Sequence, residues 1–477
     1  MMHLVLPFRF ESLWSDALVW LLVASVIGFA IYTNARPHLR APWARVSRSA
    51  SGLAAATVLA LFVIVGLLDS VHYREALPSQ DGKAAYATEL RSVLDRLLQP
   101  LRASREKTYS APLATHLYAK ETVQLPDGGE VRVFPRLRHG GAHLVDPQQD
   151  WARDVVVKAF RGLAIALLVW FVAAIGVCAA ESRRATAGIE SVWRDVWAGH
   201  TAVPWRAVLV ALGLLCVLIG PVTALAPHYH VLGTDKVGQD VLYQALKSIR
   251  TGLVIGTLAT LVMLPFALVL GVMAGYFKGR IDDLIQYLYT TLSSIPGVLL
   301  IAAAVLMMQV YIENHPELFP STEIRADVRL IALCVILGVT SWTGLCRLLR
   351  GEALKLREME YIQAAHAFGV SHWRIMMRHI VPNVMHIVMI ALVMDFSGLV
   401  LAEAVLSYVG VGVDPSMISF GTMINSARLE MAREPMVWWS LAAAFVFMLT
   451  LVLAANLFAD AVRDAFDPRL IMAGRQS

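Results

Sequence analysis

Tyr361-Ile362-Gln363-Ala364-Ala365-His366-Ala367-Phe368-Gly369, followed by Arg378-His379-Ile380-Val381-Pro382-Asn383, decides how this chain is read. Tyr361, Ile362, Ala364, Ala365 and Phe368 place an apolar patch on one short helix. Gly369 stands where a left-handed residue ends such a helix. Ser371 can N-cap a second helix, and Pro382 is expected to close that one where the next apolar run begins. The small residues Ala364, Ala365 and Gly369 permit close approach by another surface. By pattern alone a helix, a glycine turn and a helix between two apolar runs is also an ordinary connection.

Outward from this stretch the chain is apolar. Hydrophobic residues make up 57%, charged residues 16%, and the mean hydropathy is +0.60, whereas soluble domains carry about 25% charged residues. Nine stretches, over 14–33, 53–69, 159–180, 207–226, 252–276, 285–311, 329–346, 384–407 and 437–459, read as membrane-spanning helices. A crossing needs roughly 20 apolar residues, so 53–69 and 329–346 are the shortest candidates. Arg36 and Arg40 follow the first run instead of preceding it, against a cleaved signal segment. Arg36, Arg40, Arg45 and Arg48 lie between runs one and two, Arg183, Arg184 and Arg194 between three and four, and Lys278 and Arg280 between five and six. Arg347, Arg350, Lys355, Arg357, Arg374 and Arg378 crowd the connection between seven and eight. The positive-inside tendency puts these connections in the cytoplasm, the N-terminus outside and the C-terminus inside. The same loops account for the net charge of +5 and the pI near 9.0 without a nucleic-acid partner.

The long polar segment, 70–157, is then extracytoplasmic. Ala87, Leu90, Leu94, Leu97 and Leu101 recur at helical spacing, and Val123 and Leu125 face Val131 and Val133 across Pro126-Asp127-Gly128-Gly129 as a β-hairpin. A small α+β insert is expected. Its residues report no chemistry. Cys178, Cys216, Cys334 and Cys346 lie in or beside apolar runs, so no disulfide framework is expected. The sequence has no GxxxxGK[ST] phosphate loop, no HExxH and no GxSxG. His139 with His143, or His228 with His230, offer two metal ligands each without Cys or carboxylate support, and read as surface histidines. No metal site and no catalytic residue is expected.

The quoted stretch resembles the EAA loop of bacterial ABC importer permeases, with Gln363 in place of Glu and Val381 in place of Leu. More closely, the chain resembles the C-type permease of dipeptide and oligopeptide importers. Gly233-Thr234-Asp235 with Gly238-Gln239-Asp240-Val241 is similar to that family's GTDxxGRDV, with Gln239 replacing Arg. Trp342-Thr343-Gly344 leads into Arg357-Glu358, Leu401-Ala402-Glu403-Ala404 runs to Tyr408-Val409-Gly410-Val411-Gly412-Val413, and Arg463-Asp464-Ala465-Phe466-Asp467-Pro468-Arg469-Leu470 closes the likeness, which covers about residues 205–470 in the family's order.

The resemblance implies an all-α polytopic membrane protein with a type I ABC importer transmembrane domain of six helices. Three additional N-terminal spans and the α+β insert are added to it. The expected divisions are 1–69, 70–157, 158–200 and 201–477. It implies a second, B-type permease subunit, two ATPase subunits that hold ATP and magnesium, a periplasmic binding protein, a peptide cargo and a lipid bilayer as partners, with no cofactor bound by this chain. The implied place is the bacterial inner membrane. Tyr361, Gln363, Ala364, Ala365, Phe368, Gly369 and Pro382 would couple to an ATPase, and Gly233, Thr234, Asp235, Gly238 and Asp240 would form an outer gate or meet the binding protein. By residue type, Asp235 can cap an amphipathic helix carrying Val241, Leu242, Ala245 and Leu246, with a helix lying flat on the bilayer as the alternative reading. Asp395, in the middle of a span, and Glu403 are candidate pathway residues. Gly252/Gly256 and Gly271/Gly275 have the spacing of close helix contacts, and Pro265 lies between them. Nickel chelates or other peptide-like solutes are an alternative cargo. A sensor or scaffold role stays open for residues 1–200.

Overall fold

The computed structural model describes residues 8–77, 85–124, 130–186, 188–319 and 321–466. The hairpin's turn, Leu125 and residues 467–470 of the closing motif lie outside the described residues.

From the N-terminus, β1 (Phe8–Phe10) precedes α1 (Trp14–Asn34), α2 (Pro37–Val46) and α3 (Ala50–Asp69). The polar segment gives β2 (His72–Leu77), β3 (Ala85–Tyr86), β4 (Arg91–Ser92), α4 (Val93–Leu97), α5 (Gln99–Ala103), β5 (Glu121–Gln124) and β6 (Glu130–Val133). Then come α6 (Pro147–Ala185), α7 (Ile189–Ala198), α8 (Trp205–Leu225), α9 (Val241–Phe277), α10 (Gly279–Ser294), α11 (Gly297–Asn314), α12 (Thr322–Ser341), α13 (Thr343–Arg357), α14 (Glu360–Ala367), α15 (His372–Ile375), α16 (Val381–Val409), α17 (Phe420–Glu430) and α18 (Trp439–Phe466). Among the described residues eight helices are long and apolar enough to cross a membrane, and α12 with α13, bent by 40°, makes nine if the pair is one span.

Two expected spans differ from what is observed. The run 285–311 is broken at Ile295-Pro296, so that only α11 is apolar enough to cross. Pro296 forces Ile295 out of the helical region, and α10 before it carries Asp282 and Asp283 on an amphipathic helix. The run 329–346 is divided at Trp342, beyond which α13 carries Arg347, Arg350, Glu352 and Lys355. The expected helix through Ala87–Leu101 is instead the short strand β4 followed by α4 and α5. Ser92 caps α4 with Asp95 completing a reciprocal capping box, so helix cannot extend back through it. The two hairpin strands form, with Val123 paired to Val131 as expected, while Val133 lies opposite Glu121. A second antiparallel sheet joins β2 to β1, β3 and β4.

The chain forms two compact units. One comprises Ala44–Thr251 and Ile418–Ala454 together with β1; the other comprises Leu13–Trp43, Gly252–Met417 and the end of α18. In the first, α8 packs on α3 and α6, Asp146 caps α6 just ahead of Pro147, and Ser49 caps α3. In the second, burial is concentrated where α9, α11, α12 and α16 meet, around Ile255, Leu330, Leu333, Leu337 and Leu406, and again where α9, α10, α13 and α16 meet. Lipid is as apolar as leucine, so association in a bilayer depends on close packing. A Cβ on Gly271 would lie 2.8 Å from the Cys346 carbonyl oxygen, and one on Gly275 would lie 2.5 Å from the Ala353 Cβ. These glycines let α9 seat against α13.

Candidate functional site

The quoted loop is a rigid platform with an uncovered aromatic face. Arg350 of α13 donates from Nε and Nη2 to the two oxygens of Asp282 at 2.6 and 2.8 Å, and Lys278 pairs with Glu358 at 2.6 Å, where α13 ends. The guanidinium fork holds the Asp282 carboxyl below its usual range. After Met359, α14 buries Ile362, whose neighbours in one apolar core include Leu349, Ile375, Met376 and Ile380. The Gly369 N–H donates to the His366 carbonyl and the Val370 N–H to the Ala365 carbonyl, the paired bonds of a Schellman stop, with Gly369 at φ +75°. Nothing lies within 4 Å of where a Gly369 Cβ would sit. Glycine is therefore needed there for its backbone, not for space.

On the outer side Tyr361, Gln363, Ala364, Phe368 and Trp373 are exposed, Phe368 to 87%, while Ala365 is half-buried. Gln363 turns its amide onto the Glu358 carbonyl oxygen at 3.2 Å. Tyr276 and His372 share a 2.8 Å hydrogen bond beneath the second helix. Ser371 begins that helix without a side-chain cap. Pro382 does not close it, contrary to expectation: α15 runs through a π turn, Met376–Ile380, directly into α16. Proline lacks an N–H and its ring would strike the carbonyl four residues back, and the wider turn relieves both.

In the other unit the Gly233–Val241 stretch is covered by the insert. The Thr234 hydroxyl donates to the Thr108 carbonyl at 2.9 Å and accepts from the Ser110 N–H at 2.7 Å, and Trp439 Nε1 donates to the Thr234 carbonyl at 2.9 Å. A Cβ on Gly238 would lie 1.9 Å from the Glu106 carbonyl oxygen. Asp235 accepts from the Val237 and Gln239 N–H groups and so closes the turn. The helix cap is Asp240 instead, which accepts from Leu242 and Tyr243. That helix is the start of α9, with Val241, Leu242 and Ala245 buried, and it does not lie flat as a separate element.

His230 is no surface histidine. It is 2% exposed, with Nδ1 2.7 Å from Asp240 Oδ2 and Nε2 3.5 Å from Glu106 Oε1. Burial works against its charge, but the bond to Asp240 and the Glu106 carboxylate outweigh it and raise its pKa to about 9. Burial likewise opposes the Glu106 charge, but His230 and the N–H groups of Arg138, His139 and Gly140 hold its pKa down to about 2. A second cluster pins α9: Lys247 Nζ reaches Asp69 at 2.6 Å and Asp95 at 3.1 Å, and the Tyr243 hydroxyl donates to Asp95 at 2.7 Å. Sequence reasoning missed both clusters, because their members are far apart in the chain and carry no local pattern. Among the described residues no three His, Cys, Asp or Glu side chains are grouped to hold a metal.

Residues 267–472 match the family described as the binding-protein-dependent transport system inner membrane component. The oligopeptide transport system permease protein of Mycobacterium tuberculosis (strain H37Rv) is 34% identical over 239 residues, 50% of this chain and 76% of that protein. This chain belongs to that permease family. The glutathione transport system permease protein of Pectobacterium atrosepticum is 29% identical over 303 residues, 59% of this chain and 93% of that protein. The dipeptide transport system permease protein of Bacillus subtilis is 27% identical over 297 residues, 59% of this chain and 86% of that protein. The permease's two candidate pathway carboxylates differ in setting. Glu403 is 1% exposed and accepts from Ser407 one helical turn on. Asp395 is half-buried, with no hydrogen-bond or ion-pair partner among the described residues.

Proposed function

We propose that this permease forms, with a second B-type permease subunit, the translocation path of an importer for dipeptides and oligopeptides. Its cargo is delivered by a periplasmic binding protein and its work is driven by two cytoplasmic ATPases that hold the ATP and magnesium. The observation that carries the reading is the loop from Tyr361 to Asn383: its inner face is anchored in the core, its outer face is an uncovered aromatic patch. A rigid helix of this kind can pass a push from a partner to α13 and α16. Gln363 offers a neutral amide to that partner, not a charge. The basic connections favour this loop and the C-terminus in the cytoplasm and the N-terminus and insert in the periplasm. The relatives' peptide and glutathione cargoes support a peptide class.

The test is reconstitution of the chain with its copurifying partners in proteoliposomes, followed by ATP-dependent uptake of a labelled dipeptide and a labelled oligopeptide. Accumulation of either supports the reading. Uptake of a nickel chelate alone would leave the permease in place and overturn the cargo, and ligand binding without flux would overturn transport altogether.

A further inference from the structure

The spans that precede the matched family region enclose an unassigned groove. A cavity of about 900 Å³ is lined by α3, α6 and α8, among them Leu53, Ile64, Ile165, Val169, Trp205 and Leu212. That volume is at the upper end of the roughly 300–1,000 Å³ typical of small-molecule sites. It extends along α8 from Trp205 to Ala224, roughly 28 Å at ~1.5 Å per residue, close to the ~30 Å hydrocarbon thickness of a bilayer. The walls are almost wholly aliphatic, so the occupant is apolar over this length.

The end marked by Leu53 and Trp205 has a different chemistry. Arg48 lies just ahead of α3, Arg183 in the last turn of α6 and Arg206 in the first turn of α8. All three are exposed, and none of their side chains makes a hydrogen bond or ion pair among the described residues. Of the acids at this end, Glu181 pairs with Arg184 and accepts from Trp205 Nε1 at 3.1 Å, and Glu190 and Asp195 are exposed on α7, beside its own Arg194. Amphipathic α7 packs at the same end, with Val192 and Val196 against Ala174, Cys178 and Leu209 and with the Trp193 ring tilted against Trp197. Tryptophan and arginine gathered at one end of apolar helices mark the headgroup level of a membrane.

We propose that this groove is a binding site for one anionic phospholipid, its acyl chain lying between α3 and α6 and its phosphate held by Arg48, Arg183 and Arg206. Guanidinium forks match phosphate oxygens, and basic pockets between spanning helices select anionic headgroups. The site ties the added spans to lipid composition and is independent of the cargo assignment.

The experiment is native mass spectrometry of the full chain with its copurifying subunits, delipidated and then exposed to phosphatidylglycerol or phosphatidylcholine. Phosphatidylglycerol should be retained about tenfold more tightly, the difference a single good charge-assisted contact supplies. The Arg48→Gln/Arg206→Gln variant should retain both lipids alike. Ala60→Trp, which fills the groove from an exposed position, should reduce retention of both, and it provides a readout should the arginine variant fail to assemble. Equal retention of the two lipids by the unaltered protein, or retention unmoved by Ala60→Trp, would overturn the proposal. So would a photo-crosslink from position 60 that captures a partner subunit's helix in place of lipid.

Discussion

Gly369 shows how much one residue can be asked to do. Its left-handed φ closes α14, and the open space around it means a larger side chain costs backbone strain alone, about 1–2 kcal/mol. Gly369→Val should therefore leave abundance normal while lowering ATP-dependent uptake about tenfold. Gly369→Asn, which tolerates this conformation, should keep most of it. Normal uptake by the valine variant would remove the coupling role. The need for glycine here was legible from its place after a helical pattern. His230 was not, because its partners Asp240 and Glu106 meet it only in the fold. Raised in the folded state, its pKa contributes stability fully present below about 6.5 and lost as pH rises through about 9. Glu106, lowered, contributes stability present above about 4.5 and lost as pH falls to about 2. The thermal midpoint should fall between pH 6.5 and 9, and His230→Gln should flatten that slope; an unchanged slope would show that the triad does not titrate as described.

At the scale of elements, the loop's two faces should separate stability from the proposed coupling. Ile362 is 2% exposed, and Ile362→Ala should cost about 2–4 kcal/mol, seen as a lower thermal midpoint. Phe368→Ala and Trp373→Ala should leave the midpoint unchanged and reduce uptake, because those rings are largely exposed. Loss of stability without loss of uptake in the aromatic variants would reverse the assignment. Which residues form α14 could be read from helical spacing. The π turn before Pro382 could not, since it depends on how α15 and α16 are held by the same core. The break at Ile295-Pro296 was available in the sequence as a residue before proline, but the apolar residues on both sides masked it.

For the whole molecule, the insert is the element whose placement mattered most. It covers the Gly233–Val241 turn and, through Asp95 together with Asp69 at the end of α3, holds Lys247 at the start of α9. Lys247→Met would leave two carboxylates buried without their cation, a loss of about 3 kcal/mol. Hydrogen exchange should then quicken through Ser92–Leu97 and the first turns of α9, with little change in Tyr361–Asn383. Protection unaltered at Ser92–Leu97 would show that the cluster does not hold the insert.

The sequence by itself determined the membrane-spanning character, the helix–glycine–helix loop and the family resemblance. Each rests on composition, on periodicity or on residues spaced a few positions apart, and such signals survive in a linear chain. The tertiary structure alone decided that the insert covers the Gly233–Val241 turn, that His230 is an ion-paired core residue, and that α3, α6 and α8 leave a lipid-sized groove beneath exposed arginines. Those features join groups from distant segments, and the energy that selects them comes from desolvation and close packing, which exist only once the chain has folded.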